Sequence, residues 1–168
     1  MVRIMVLGSA GVRAAIASAL LGACTATTSP PPGAGDKADV QRIALTATSF
    51  NAGEVAYIVL MAREHHTEVV LKVSGVPGWV WRPVHLYAYI HQGSCANLSE
   101  RPAYALTDRV LTRRDGDGFL TLNNTVEVDL STLRDGHHAF VVRSSPADAN
   151  RPLFCGDLPP AQGPPSSG

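Results

Sequence analysis

Glu68-Val69-Val70-Leu71-Lys72-Val73 decides the fold class. Three of its six residues are β-branched and neither glycine nor proline interrupts it, so it fits a pleated, half-buried surface better than a helix. Val126-Glu127-Val128-Asp129-Leu130 alternates apolar and polar side chains and predicts a second strand. Working outward, further strands are expected over 41–49, 54–62, 84–91, 109–113, 119–122 and 139–144. They are punctuated by turn sequences such as Asn51-Ala52-Gly53, Val76-Pro77-Gly78 and Asp135-Gly136. Residues 52–61 also suit a short helix, because of their alanines and Leu60-Met61. No long helical stripe competes with the rest, so the expectation is an all-β sandwich or barrel of seven or eight strands.

The chain has 168 residues, 45% hydrophobic and 17% charged, which suits one folded domain, placed at 40–158. Fourteen basic and fourteen acidic side chains cancel, leaving no basic footprint for a nucleic acid. Prolines gather at both ends: 24–39, with Thr27-Thr28-Ser29-Pro30-Pro31-Pro32-Gly33, reads as a flexible tether, and 159–168 as a disordered tail.

Residues 1–23 carry Arg3 and Arg13, no acidic residue, and an apolar run from Ala14 to Ala23 before Cys24. This is the pattern of an export signal, too short for a stable membrane span. Leu21-Gly22-Ala23-Cys24 resembles the bacterial lipobox, whose cysteine is acylated and becomes the mature N-terminus. The resemblance implies a lipid anchor at Cys24 and a place in the bacterial cell envelope; Thr25 after it, rather than the aspartate associated with inner-membrane retention in some bacteria, favours the outer membrane, on its periplasmic or surface side. The other reading keeps Cys24 as an ordinary thiol behind a conventional signal peptide. With Cys24 acylated, Cys95 and Cys155 remain as an even pair in an exported chain, most simply a disulfide, with two free thiols as the alternative.

Asp115-Gly116-Asp117-Gly118 resembles the start of a calcium loop but lacks the third acidic ligand and the distal glutamate, so a hairpin turn is expected there. No Gly-x-Ser-x-Gly elbow and no phosphate-cradling glycine loop is present, which leaves hydrolase and nucleotide chemistry without an anchor and no catalytic residue to name.

Tyr89-Ile90-His91-Gln92-Gly93-Ser94-Cys95-Ala96-Asn97-Leu98, read with Phe140-Val141-Val142-Arg143 and Phe154-Cys155-Gly156, resembles the copper/zinc superoxide dismutase-like β-barrel, in particular its bacterial exported relatives. The resemblance covers about 120 residues and implies a Greek-key barrel with a Cys95–Cys155 bridge. It also places Tyr89, His91 and Arg143 where that family carries three copper-binding histidines. Only His91 is an imidazole, and a guanidinium stays protonated and cannot ligate a metal. The long loop bearing the zinc-side ligands is shortened, and 100–122 contains no histidine. The expectation is therefore a barrel without its copper site, no cofactor, and no dismutase activity.

Two features compete with that reading. His85, Tyr87, Tyr89 and His91 share one strand face, and a copper or zinc site on His85 and His91 is the alternative. In the pairs His65-His66 and His137-His138, strand geometry lets only one ring of each point inward. Trp79, Trp81, Tyr87 and Tyr89, with Arg82 nearby, form an aromatic group that suits a carbohydrate surface or one for a protein or small-molecule partner, the alternative being loop tryptophans that cap an open barrel end.

Overall fold

A computed structural model describes residues 39–160. The signal at 1–23, Cys24, nearly all of the tether and most of the tail lie outside the described residues.

The fold is all-β. Among the described residues nine strands form one antiparallel sheet: β1 (Val40–Ala47), β2 (Ala56–Ala62), β3 (Thr67–Val73), β4 (Leu86–Ser94), β5 (Asn97–Leu106), β6 (Arg113–Arg114), β7 (Leu120–Val126), β8 (His138–Ser144) and β9 (Pro152–Leu158). Their order is β5-β4-β8-β9-β1-β2-β3-β7-β6. β1 joins the two halves, since Val40 to Leu45 pair with β2 while Thr46 and Ala47 pair with β9. The sheet curls into a half-barrel around Ile58, Leu60, Leu71, Leu86, Ile90, Phe140 and Phe154, all fully buried. Removing such a ring, as in Phe140→Ala, costs about 3–5 kcal/mol.

The expected strand 68–73 is β3, and its alternation is clean: Thr67, Val69, Leu71 and Val73 face the core, while Glu68, Val70 and Lys72 face outward. Residues 56–62 are a strand, not a helix, because Ala56, Ile58 and Leu60 fill the core at a period of two. The strand expected over 126–130 is corrected. Only Val126 pairs; Glu127 and Val128 bend, and a single helical turn, α1 (Leu130–Leu133), follows. Leu130 and Leu133 are both buried, a spacing of three that a helical turn satisfies and a strand does not. Strands β5 and β9 were not anticipated in the sequence. The segment expected as strand 109–113 shrinks to the two-residue β6, but its upstream residues still bond to β4's lead-in. Leu86 N–H donates to Val110 at 2.8 Å, Thr112 N–H donates to Val84 at 3.0 Å, and His85 bridges Leu111. Asn124 fastens the same segment, its side-chain amide exchanging two hydrogen bonds with the Arg109 backbone at 3.2 and 3.0 Å.

Two motif glycines have steric reasons. Gly93 has φ +96°, and a Cβ there would strike the Asn97 carbonyl across the tight β4–β5 turn. Gly156 lets β9 lie against β1, where a Cβ would meet Leu45 and the Ala44 carbonyl.

Candidate functional site

The Cys95–Cys155 disulfide is formed, with Cα atoms 5.9 Å apart. Cys95 lies in the β4–β5 turn and Cys155 on β9, with β8 between them in the sheet. The turn therefore folds back across the outer face of β8, where Cys95 N–H also donates to the Asp157 carboxylate at 2.6 Å. This cover accounts for β8 being buried on both faces, Ala139 and Val141 included. Closing a loop of sixty residues contributes on the order of 4 kcal/mol in the chain-entropy account.

Beside that cover, on the outer face of β4, the structure brings Tyr89, His91 and Arg143 together. They line a cleft of about 310 Å³ with Glu100, Pro102 and Asn150. The strand pleat explains the arrangement: Leu86, Ala88 and Ile90 point into the core, so Tyr87, Tyr89 and His91 point out. Tyr87 pairs with Arg143 in the β4–β8 register, which sets the arginine diagonal to Tyr89. His91 is 5% exposed and packs edge-on to Tyr89 with ring centres 6.4 Å apart. Its Nδ1 lies 2.9 Å from the Ser99 carbonyl oxygen, and a carbonyl only accepts, so Nδ1 carries the proton. Arg143 donates from Nη1 to the Asn150 carbonyl at 3.1 Å.

The cleft does not hold a set of converging neutral imidazoles. His91 is its one imidazole, and the permanently protonated guanidinium of Arg143 cannot ligate a metal. His85 lies just ahead of β4, six residues from His91 and about 20 Å away along an extended chain, so the two do not converge. His138 is opposite Gln92 and so belongs to the other face of the sheet, where its ring meets Tyr104 and its Nδ1 lies 3.0 Å from Asp135. His137, its neighbour, is exposed, and His65 and His66 sit in the β2–β3 turn. Among the described residues no three His, Cys, Asp or Glu side chains are grouped to hold a metal ion.

The expected aromatic group divides in two. Trp79 and Trp81 line a second cleft of about 350 Å³ with Phe50, Asp148, Ala149 and Arg151, whereas Tyr89 belongs to the His91 cleft and Tyr87 stays on the strand face. Arg82 is exposed beside Trp81. Phe50 and Arg151 escaped the sequence reading; about a hundred residues separate them, and the only local signal was an aromatic residue and an arginine each set in a turn.

The Asp115-Gly116-Asp117-Gly118 segment is the β6–β7 hairpin turn. Both carboxylates serve Lys72, at 2.8 Å from Asp115 and 2.7 Å from Asp117, and Asp115 also accepts from the Thr121 hydroxyl at 2.7 Å. Hydrogen bonds from Lys72 hold both aspartates below the ordinary carboxylate range, and those two carboxylates raise Lys72 above its usual value. No family model, curated protein or solved structure matches the chain.

Proposed function

We propose that this chain is a membrane-anchored bacterial lipoprotein whose exported domain keeps a superoxide dismutase-like Greek-key barrel, has lost the copper site of that scaffold, and serves a binding or envelope-structural role. The observation that carries this reading is Arg143 in one cleft with Tyr89 and His91: a fixed cation stands among the positions that the resemblance assigns to copper ligands. The strand order, the Cys95–Cys155 bridge between the two motif segments and the crowded Gly93 support the scaffold half of the reading. A fold alone does not choose a function, so the cleft chemistry is what argues for binding over redox catalysis. Anchoring rests on the lipobox-like Leu21-Gly22-Ala23-Cys24, and Thr25 after it supports a position on the periplasmic or surface side of the outer membrane.

The protonated Nδ1 of His91 favours one second reading, a copper- or zinc-handling protein. It leaves Nε2 as the ring's basic nitrogen, and a carbonyl-bonded Nδ1–H is a common companion of metal-binding imidazoles. Copper and zinc content of the protein purified without chelators separates the two: the binding reading expects well below one equivalent of either metal, and a stoichiometric metal lost in His91→Ala supports the second. Labelled palmitate on the wild type and none on Cys24→Ala is the outcome expected for the anchor; label retained by Cys24→Ala contradicts it.

A further inference from the structure

We propose that the cleft between Trp79, Trp81 and Phe50 is a binding site for an acidic carbohydrate, one that carries carboxylate-bearing sugar rings. It goes beyond the reading above, since it uses none of the residues of the His91 cleft.

The loops β1–β2, β3–β4 and β8–β9 meet at one end of the sheet and supply all of its walls. Trp81 is 75% exposed, Trp79 43% and Phe50 41%, an unusual solvation of three large rings. Of the six large apolar side chains exposed among the described residues, only Val40 lies at the other end, where the chain enters β1.

The loop that carries Trp81 is anchored through its backbone. The Trp81 main-chain N–H donates to Asp148 Oδ1 at 3.1 Å, and the Ser145 hydroxyl donates to the other oxygen at 2.7 Å. Asp148 is buried, and each of its carboxylate oxygens accepts one of these bonds. The next two residues, Ala149 and Asn150, have φ of 63° and 49°, a left-handed pair that non-glycine residues adopt at a cost. Arg151 follows and lays its guanidinium over the Phe50 ring, 4.7 Å from the centre. The guanidinium N–H donors make no hydrogen bond among the described residues, and such a free fork takes a carboxylate in two parallel hydrogen bonds. Among the described residues neither Arg151 nor Arg82 has a carboxylate within ion-pair distance. The cleft therefore offers flat apolar faces and unpaired positive charge together.

A sugar ring matches that combination. One face of a pyranose is a sheet of C–H groups that covers an indole, and its rim carries hydroxyls and, in a uronic acid, the carboxylate. An acidic peptide brings the charge without the flat apolar faces, and a membrane surface meets a convex wedge better than a cleft. The volume suits one or two rings, at the small end of ligand pockets.

Both tryptophans of the whole chain line this cleft, so intrinsic fluorescence reports on it directly. The test titrates the full chain, followed by tryptophan fluorescence, with oligogalacturonate, with neutral cello-oligomers, with polyglutamate and with vesicles containing anionic lipid. The proposal expects saturable binding of oligogalacturonate that weakens in high salt, and little response to the other three. Trp81→Ala, followed through Trp79 and by calorimetry, is expected to weaken binding roughly tenfold or more. Arg151→Gln is expected to remove the preference for the acidic over the neutral oligomer. Both side chains are exposed or lie at the surface, and unchanged thermal unfolding of both variants verifies that the fold is intact; Arg151→Lys, which keeps the charge without the fork, covers the case in which Gln perturbs the loop. Absence of oligogalacturonate binding, equal binding of polyglutamate or vesicles, or binding indifferent to both substitutions overturns the proposal.

Discussion

The Nδ1–H of His91 is donated to the main-chain carbonyl of Ser99 across the β4–β5 hairpin at 2.9 Å. That one bond fixes which ring nitrogen is basic before any ligand arrives. In the neutral ring the proton sits on Nδ1, and Nε2 holds the lone pair. Long-range proton–nitrogen NMR correlations recorded at alkaline pH are expected to show His91 as the Nδ1–H tautomer. An Nε2–H pattern contradicts the geometry.

Lys72 and its two aspartates set a pH signature. Asp115 and Asp117 are held below their ordinary value of 3.8 in the folded state, so the stability they contribute is present above that value and is lost as pH falls through their folded values. Asp135, lowered chiefly by the His137 backbone N–H, acts in the same direction. Lys72 is raised, so its share is intact below its usual 10.5 and is lost only as pH rises beyond it. Thermal unfolding is therefore expected to be flat through neutral pH with respect to this cluster and to decline below about 4. Lys72→Gln is expected to flatten the acid limb. An acid limb of equal steepness in that variant contradicts the assignment.

Ala149 occupies the left-handed region at φ 63°. Glycine reaches that conformation without its Cβ crowding the backbone, and part of the gain is offset by the greater freedom of glycine in the unfolded chain. Ala149→Gly is expected to raise stability by about 0.5–1 kcal/mol in chemical denaturation. A loss of stability means that the methyl group packs in a way that outweighs the strain.

Where side-chain pattern and burial agree, the fold was legible in the sequence. β2, β3 and β8 alternate or run apolar because a sheet buries one or both of their faces. β5 was illegible because it is an edge strand whose Ser99-Glu100-Arg101-Pro102 faces solvent on both sides, and a proline is tolerated where no neighbour needs its N–H. β9 hides behind Pro152 and Gly156, residues that ordinarily end strands and here mark its start and its close approach to β1. Val126 to Leu130 misleads because alternation cannot reveal that Leu130 pairs in burial with Leu133 rather than with Val128. For the sites, the common strand face of Tyr87, Tyr89 and His91 could be read from parity, and the meeting of Arg143 with that face came from the resemblance. The contact of Phe50 with Arg151 depends on how the sheet closes β1 against β9, which no local pattern encodes.

The central proposal is that Arg143 stands where a superoxide dismutase-like scaffold would need an imidazole. Its most direct test is the copper-binding isotherm of the metal-free wild-type chain beside that of Tyr89→His plus Arg143→His, with superoxide consumption measured on both after loading with copper and zinc. The account predicts no tight stoichiometric copper and no dismutation for the wild type, and a gain in copper affinity confined to the double substitution. Tight copper binding by the wild type with superoxide turnover approaching that of an authentic dismutase contradicts it.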